Sequence, residues 1–144
     1  GVCSYAWVGG HDGAKWASSE GFELANYNFD MPQEDGSTKP IAINEHAALM
    51  KATGGDRKGG CEAGLRMCNQ KYMFLRADKT SNGVEFCVFS KTGGGGACVA
   101  KSDKALCVGV WQKDAPMGNG KTQNTGDCEK NVCTVADNLK NAGY

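Results

Sequence analysis

Between residues 63 and 112 the chain strings together five short runs of apolar and β-branched residues, joined by links too short for any parallel crossover. The runs are Ala63–Met67, Lys71–Ala77, Val84–Ser90, Ala97–Lys101 and Ala105–Gln112. The links are Cys68-Asn69-Gln70, Asp78 to Gly83, Thr92 to Gly96, and Ser102-Asp103-Lys104. A parallel connection needs about a dozen residues or more, so strands joined this tightly lie antiparallel to their neighbours. The stretch therefore folds as a meander, and every other element must pack on it or beside it.

The segments on either side supply the covering. Val2 to Val8 is rich in β-branched and aromatic residues and reads as a strand, with a turn at Gly9-Gly10-His11-Asp12-Gly13, where glycine and aspartate suit tight geometry. Ala14 to Ser18 returns as a second strand carrying Trp16 on one face. Residues 19–40 are interrupted by Pro32, Gly36 and Pro40, and are expected to form an irregular excursion with a short helix around Phe22–Tyr27. Asn44 is placed to cap a helix. Glu45 would favour the positive end of its dipole, Ile43 could staple onto Ala48, and Gly54-Gly55 stops it. After a polar loop from Lys113 to Gly126, Asp127 begins a closing helix. Cys128, Val132, Val135, Leu139 and Ala142 mark its apolar stripe, leaving Glu129, Lys130, Thr134, Asp137, Asn138 and Lys140 to face elsewhere. The fold class is α+β: a central antiparallel sheet of about seven strands flanked by helices, in a single domain over residues 1–144.

Charge excludes one class of partner. Sixteen basic side chains balance sixteen acidic ones, so nothing global attracts nucleic acid. No apolar run approaches the roughly 18–20 residues that cross a bilayer, and the first residues lack the pattern of a signal peptide. The eight cysteines form no C-x-x-C pair, and the two histidines, His11 and His46, lie far in sequence from paired thiols. That argues against zinc or any other metal. Four of the cysteines, Cys87, Cys98, Cys107 and Cys133, sit in apolar runs, where the residue packs as a small hydrophobe. Reduced structural thiols are expected rather than a secreted disulfide framework. Residues 115–122 nearly spell a phosphate-binding loop, but Ala115 replaces its first glycine and no helix follows directly. His11 is expected to bond locally within its turn and His46 to face solvent. Trp7 and Trp16 are expected to pack on adjoining strands. No nucleophile–base set or spaced carboxylate pair stands out, so neither an enzyme nor a cofactor is expected.

Four stretches, in order, resemble the profilin family. They are Gly9-Gly10-His11-Asp12-Gly13-Ala14-Lys15-Trp16-Ala17; Asn69-Gln70-Lys71-Tyr72 with Arg76; Lys91-Thr92 with the glycines up to Gly96 and the following Ala97–Lys101 and Lys104-Ala105-Leu106; and Asp127 through Tyr144. The long loop before Ile43-Asn44-Glu45 is more similar to protist members, those of ciliates and apicomplexans, than to animal ones. The resemblance implies a cytoplasmic, cytoskeletal protein that binds monomeric actin and regulates its polymerisation. It also implies proline-rich ligands such as formin-like proteins, and acidic phosphoinositides. By matching positions, the actin face would use Phe74, Arg76, Lys91, Gly126, Glu129, Lys130, Cys133 and Thr134. The proline-rich groove would use Trp16, Asn138, Leu139 and Tyr144. Glu129, Lys130 and Thr134, off the apolar stripe, would be free to meet a partner, and Cys133 would be a small contact residue.

Family members open with a helix that packs beside the closing one and lends aromatic walls to the groove, whereas this sequence begins at the following strand. A preceding segment is therefore expected, since an uncovered sheet face would cost several kcal/mol. Without it, affinity for polyproline should be poor. The rival reading is a structural or adaptor subunit of a larger complex on the same fold, with actin binding weakened or lost.

Overall fold

The computed structural model describes residues 1–144. In chain order its elements are β1 (Tyr5–Gly10), β2 (Lys15–Ser18), β3 (Asn26–Pro32), β4 (Thr38–Asn44), α1 (Glu45–Ala52), β5 (Leu65–Met67), β6 (Gln70–Lys79), β7 (Glu85–Lys91), β8 (Gly96–Lys101), β9 (Ala105–Trp111) and α2 (Thr125–Asn141). The meander forms as the link lengths require. Strands β5 to β9 pair in sequence order, β9 then pairs with β1, and β2 completes a seven-stranded antiparallel sheet of order β2-β1-β9-β8-β7-β6-β5.

The central strands read as near-continuous apolar runs because both of their faces are covered. Cys87, Phe89, Ala97, Val99, Leu106, Val108 and Val110 enter one core with Trp7, Leu49, Leu65, Met67 and Tyr72. Their neighbours Phe86, Val88, Cys98, Ala100 and Cys107 enter a second core beneath α2, with Cys128, Val132 and Ala136. The buried stripe of α2 thus runs through Ala136, with Leu139 half-buried. Val135, expected in the stripe, is 38% exposed, and Ala142 is also exposed. The helix lies close to the sheet where β9 has no side chain: a Cβ on Gly109 would stand 2.5 Å from Cγ2 of Val132. No helix is long and apolar enough to cross a membrane.

The expected irregular excursion is instead a two-stranded sheet. β3 and β4 pair from Asn26 with Asn44 to Pro32 with Thr38, and no helix covers Phe22–Tyr27. Tyr27, Phe29 and Met31 alternate with polar residues and are the half-buried positions of β3, the period-two pattern of a strand with one covered face. The turn holds Gly36 at φ 85°, and Ser37 N–H donates to Asp35 Oδ1 at 2.9 Å. Ile43 ends up in β4 opposite Tyr27, while Asn44 caps α1 as expected, accepting from Ala47 N–H at 2.9 Å.

What fastens this hairpin to the body is Glu45, which does more than complement a helix dipole. Its side chain is completely buried. Oε1 accepts from the N–H groups of Ala25 and Cys68, each at 2.9 Å. Oε2 accepts from Tyr27 O–H at 2.7 Å and Asn69 N–H at 2.9 Å. Cys68 and Asn69 are the two residues of the β5–β6 turn, at φ 50° and 59°, a left-handed pair typical of tight hairpins. One carboxylate therefore joins the hairpin, α1 and that turn. Arg66 reinforces the junction, donating from Nε to Tyr27 Oη at 3.0 Å and lying over the Phe29 ring at 4.4 Å. Tyr27 ionises late, its hydroxyl pushed up to about 12 by burial and by the bond to Glu45.

The histidines also depart from expectation. His46 turns inward, its Nε2 2.9 Å from Gly10 O and its ring 5.8 Å from that of Trp7. His11 reaches β9 instead of bonding within its own turn, with Nε2 3.2 Å from Ala105 O.

Candidate functional site

The surface around α2 is built from the helix and the outer strand β6. Because β5 pairs only with Gln70–Tyr72, β6 from Met73 to Lys79 has an open edge. Directly opposed residues share a sheet face. Phe74, opposite Phe89, therefore turns to the first core, where the two rings meet edge-to-face at 5.9 Å. The register then slips at Leu75, and Arg76 sits opposite Val88 on the side of α2. Its guanidinium lies 5.7 Å from the centre of the Phe86 ring.

There Arg76 pairs with Glu129 of α2. The carboxylate holds the guanidinium pKa above its ordinary value. Glu129, expected to be free, is thus engaged, its side chain only 22% exposed against 49% for Arg76. One strand end is tied to the same helix by Thr80, whose Oγ1 donates to Asp137 Oδ1 at 2.8 Å. Lys130 and Thr134 are exposed, and Thr134 Oγ1 donates back to Lys130 O at 2.7 Å. Gly126 is exposed in the first turn of α2, just after the cap in which Asn124 Oδ1 accepts from Asp127 N–H at 2.9 Å. Cys133 is half-buried, and the Cys98 thiol beneath the helix holds its thiol pKa below the ordinary value.

The expected actin set therefore divides. Arg76, Gly126, Glu129, Lys130, Cys133 and Thr134 lie on the α2 side, whereas Phe74 and Lys91 lie on the other face of the sheet. Lys91, opposite Tyr72, lines a cavity of about 310 Å³ with Tyr5, Phe22, Tyr72 and Gln112. Burial pushes the Tyr72 hydroxyl up to about 12.

Two residues that sequence reasoning passed over stand out on β6: Met73 is 60% exposed and Leu75 56%. Their signal was the run Met73-Phe74-Leu75, since three consecutive apolar side chains cannot all enter one face of a strand. With Phe74 inside, its two neighbours are left outside, on the strand that carries Arg76.

A second site forms where the two ends of the fold meet. Trp16 on β2 and Tyr144 after α2 stand edge-to-face at 5.7 Å and 71°, and are 46% and 48% exposed. Tyr144 is held by its backbone: its N–H donates to Leu139 O at 2.8 Å, and its carbonyl accepts from Ser102 Oγ at 3.0 Å and from Lys104 N–H. Asn138 is exposed nearby on α2, and Leu139 packs against the second core. Two aromatic faces fixed against each other can grip a left-handed polyproline helix, which presents its own flat, preformed surface.

A family model described as Profilin matches residues 1–144. A profilin of Tetrahymena pyriformis is 34% identical over 140 residues, spanning 95% of this chain and 86% of that protein. Among solved structures, Acanthamoeba castellanii profilin IB superposes with a TM-score of 0.66 at 23% identity, covering 99% of this chain and 89% of that one. Mouse profilin IIa, solved in complex with a double repeat from the FH1 domain of mDia1, gives a TM-score of 0.55 at 20% identity, covering 100% and 91%.

Proposed function

The chain belongs to the profilin family, and from that membership we propose how its surfaces are used. It is an actin-monomer-binding protein that regulates actin polymerisation, and it belongs to a non-enzymatic family. On our reading it works as one domain over residues 1–144, in the cytoplasm, by protein contact with no chemistry of its own. Actin is met by the open part of β6 together with the outer side of α2, through Met73, Leu75, Arg76, Gly126, Glu129, Lys130, Cys133 and Thr134. Phe74 and Lys91 act from the far side of the edge, Phe74 by setting the direction of its two neighbours. The observation that carries this reading is the exposure of Met73 and Leu75 beside a charged pair. Apolar anchors with a polar rim are the pattern of a protein interface.

Trp16 and Tyr144, with Asn138 and Leu139, form the proline-rich site. Support comes from their edge-to-face geometry and from the mouse relative, whose complex contains FH1 repeats.

Two titrations test the pair of assignments. Fluorescent actin monomers should be bound and withheld from spontaneous polymerisation, and a proline-rich peptide should bind without displacing them. Trp16→Ala should weaken the peptide about tenfold or more and leave actin binding unchanged. Competition between the two ligands for one site would contradict the separation.

A further inference from the structure

The missing side chain of Gly109 has a second consequence. A Cβ there would lie 3.0 Å from Cys3 Sγ and 3.4 Å from Cys128 Sγ. The space is occupied by two sulfurs from residues 125 apart in sequence, which sit 3.4 Å from each other. Cys3 lies on the lead-in to β1, next to Ser4, whose N–H donates to Val110 O at 2.8 Å. Cys3 is half-buried and within reach of a small solute, whereas Cys128, in α2, is fully buried.

The two thiols are not equivalent. As thiols, Cys3 donates to Cys128 Sγ and Cys128 donates to Gly109 O at 3.4 Å; once Cys3 loses its proton, that of Cys128 can turn to the Cys3 sulfur instead. Given to Cys3, it stabilises a Cys3 thiolate. That bond holds the Cys3 thiol below its ordinary pKa against the effect of burial, and the same bond and burial together push Cys128 up. Thiolate character and access make a cysteine the attacking group, and a protonated neighbour in contact is placed to resolve it.

We propose that Cys3 and Cys128 form a peroxide-sensitive dithiol that closes to a disulfide, fastening the segment before β1 to the first turns of α2. The Cys3 thiolate attacks one oxygen of hydrogen peroxide, the O–O bond breaks, and the departing hydroxide takes a proton to become water. Cys3 is then a sulfenic acid. The Cys128 sulfur attacks the Cys3 sulfur, the S–O bond breaks, and the hydroxide released takes the Cys128 proton as a second water. The sulfurs lose two electrons and the peroxide gains them. Closure brings the sulfurs from 3.4 Å to about 2 Å.

The test uses the full chain and hydrogen peroxide at about one equivalent, with thiols counted under denaturant and linkages mapped by peptide mass. Of the eight thiols, two should be lost, in a Cys3–Cys128 peptide. The melting temperature should rise by about 5 °C or more, because the bridge closes a long loop, and dithiothreitol should reverse the rise. Cys3→Ser should abolish both effects. Cys128→Ser should leave Cys3 as a sulfenic acid that dimedone captures. Should the buried serine unfold the chain, the wild-type linkage map and Cys3→Ser still decide. Linkage mapping to Cys98 and Cys133, a Cys3-linked dimer, or a native chain that keeps all eight thiols while its unfolded form oxidises would overturn the assignment.

Discussion

Glu45 and Glu129 each join segments remote in sequence, but Glu45 is sealed from solvent while Glu129 keeps part of its side chain at the surface. Glu45 is completely buried and accepts four hydrogen bonds from two other parts of the chain. Glu129 meets one guanidinium at a surface where its partner is half exposed. The contrast shows how burial assigns a charge its role. Inside, the carboxylate itself has no water to turn to, so it is committed to the fold. Outside, an ion pair is worth about 0–1 kcal/mol, and its members can exchange partners when another protein arrives. The hairpin side of the molecule is therefore locked, and the α2 side is available.

The sharpest way to break that contrast is to remove each group in turn. Glu45→Ala should lower the unfolding free energy by about 3–5 kcal/mol, since it strands one hydroxyl and three N–H groups; urea titration reads this as an earlier midpoint. An effect under about 1 kcal/mol would mean that water reaches the junction. On the other side, Met73→Ala with Leu75→Ala should leave stability within about 0.5 kcal/mol while weakening actin-monomer binding about tenfold or more, near 1.4–2 kcal/mol. Fluorescence titration against labelled monomers separates the two outcomes. Lys130→Glu should cost about 1 kcal/mol of affinity, mostly as slower association that fades with added salt.

A smaller effect lies at alkaline pH. Tyr72 titrates near 12 in the folded chain against an ordinary value of 10.0, with burial the main cause. A raised folded pKa means that the neutral phenol is favoured by folding. Its contribution is complete below pH 10 and is lost as the pH rises through 12. Tyr72→Phe should therefore move the alkaline unfolding transition upward and change stability little at pH 7. An unmoved transition would assign alkaline unfolding to other groups.

How much of this was legible in the sequence varied by element. The meander was, because short links leave one topology. So was the cap at Asn44, a local interaction. The hairpin was not, because Pro32, Gly36 and Pro40 drew attention from the alternation of Tyr27, Phe29 and Met31 and from the Asp35-Gly36 turn between two such runs. The stripe of α2 was misplaced by one residue because Val135 outweighs Ala136 on any hydrophobicity count, although it is Ala136 that faces the sheet. Glu45 and the Arg76–Glu129 pair could not be read at all. Their partners lie 18–24 and 53 residues away, and no local pattern records them. The site residues were named through family resemblance, and only the alternation on β6 explains why Phe74 turns inward while its neighbours do not.

We propose that actin meets the open edge of β6 and the outer side of α2. Amide hydrogen exchange, followed on the chain alone and with saturating actin monomer, tests it most directly. Binding should slow exchange at residues 73–79 and in α2 from Gly126 to Thr134, and leave residues 26–44 unchanged. Protection confined to the hairpin, with β6 and α2 exchanging as before, would rule that docking surface out.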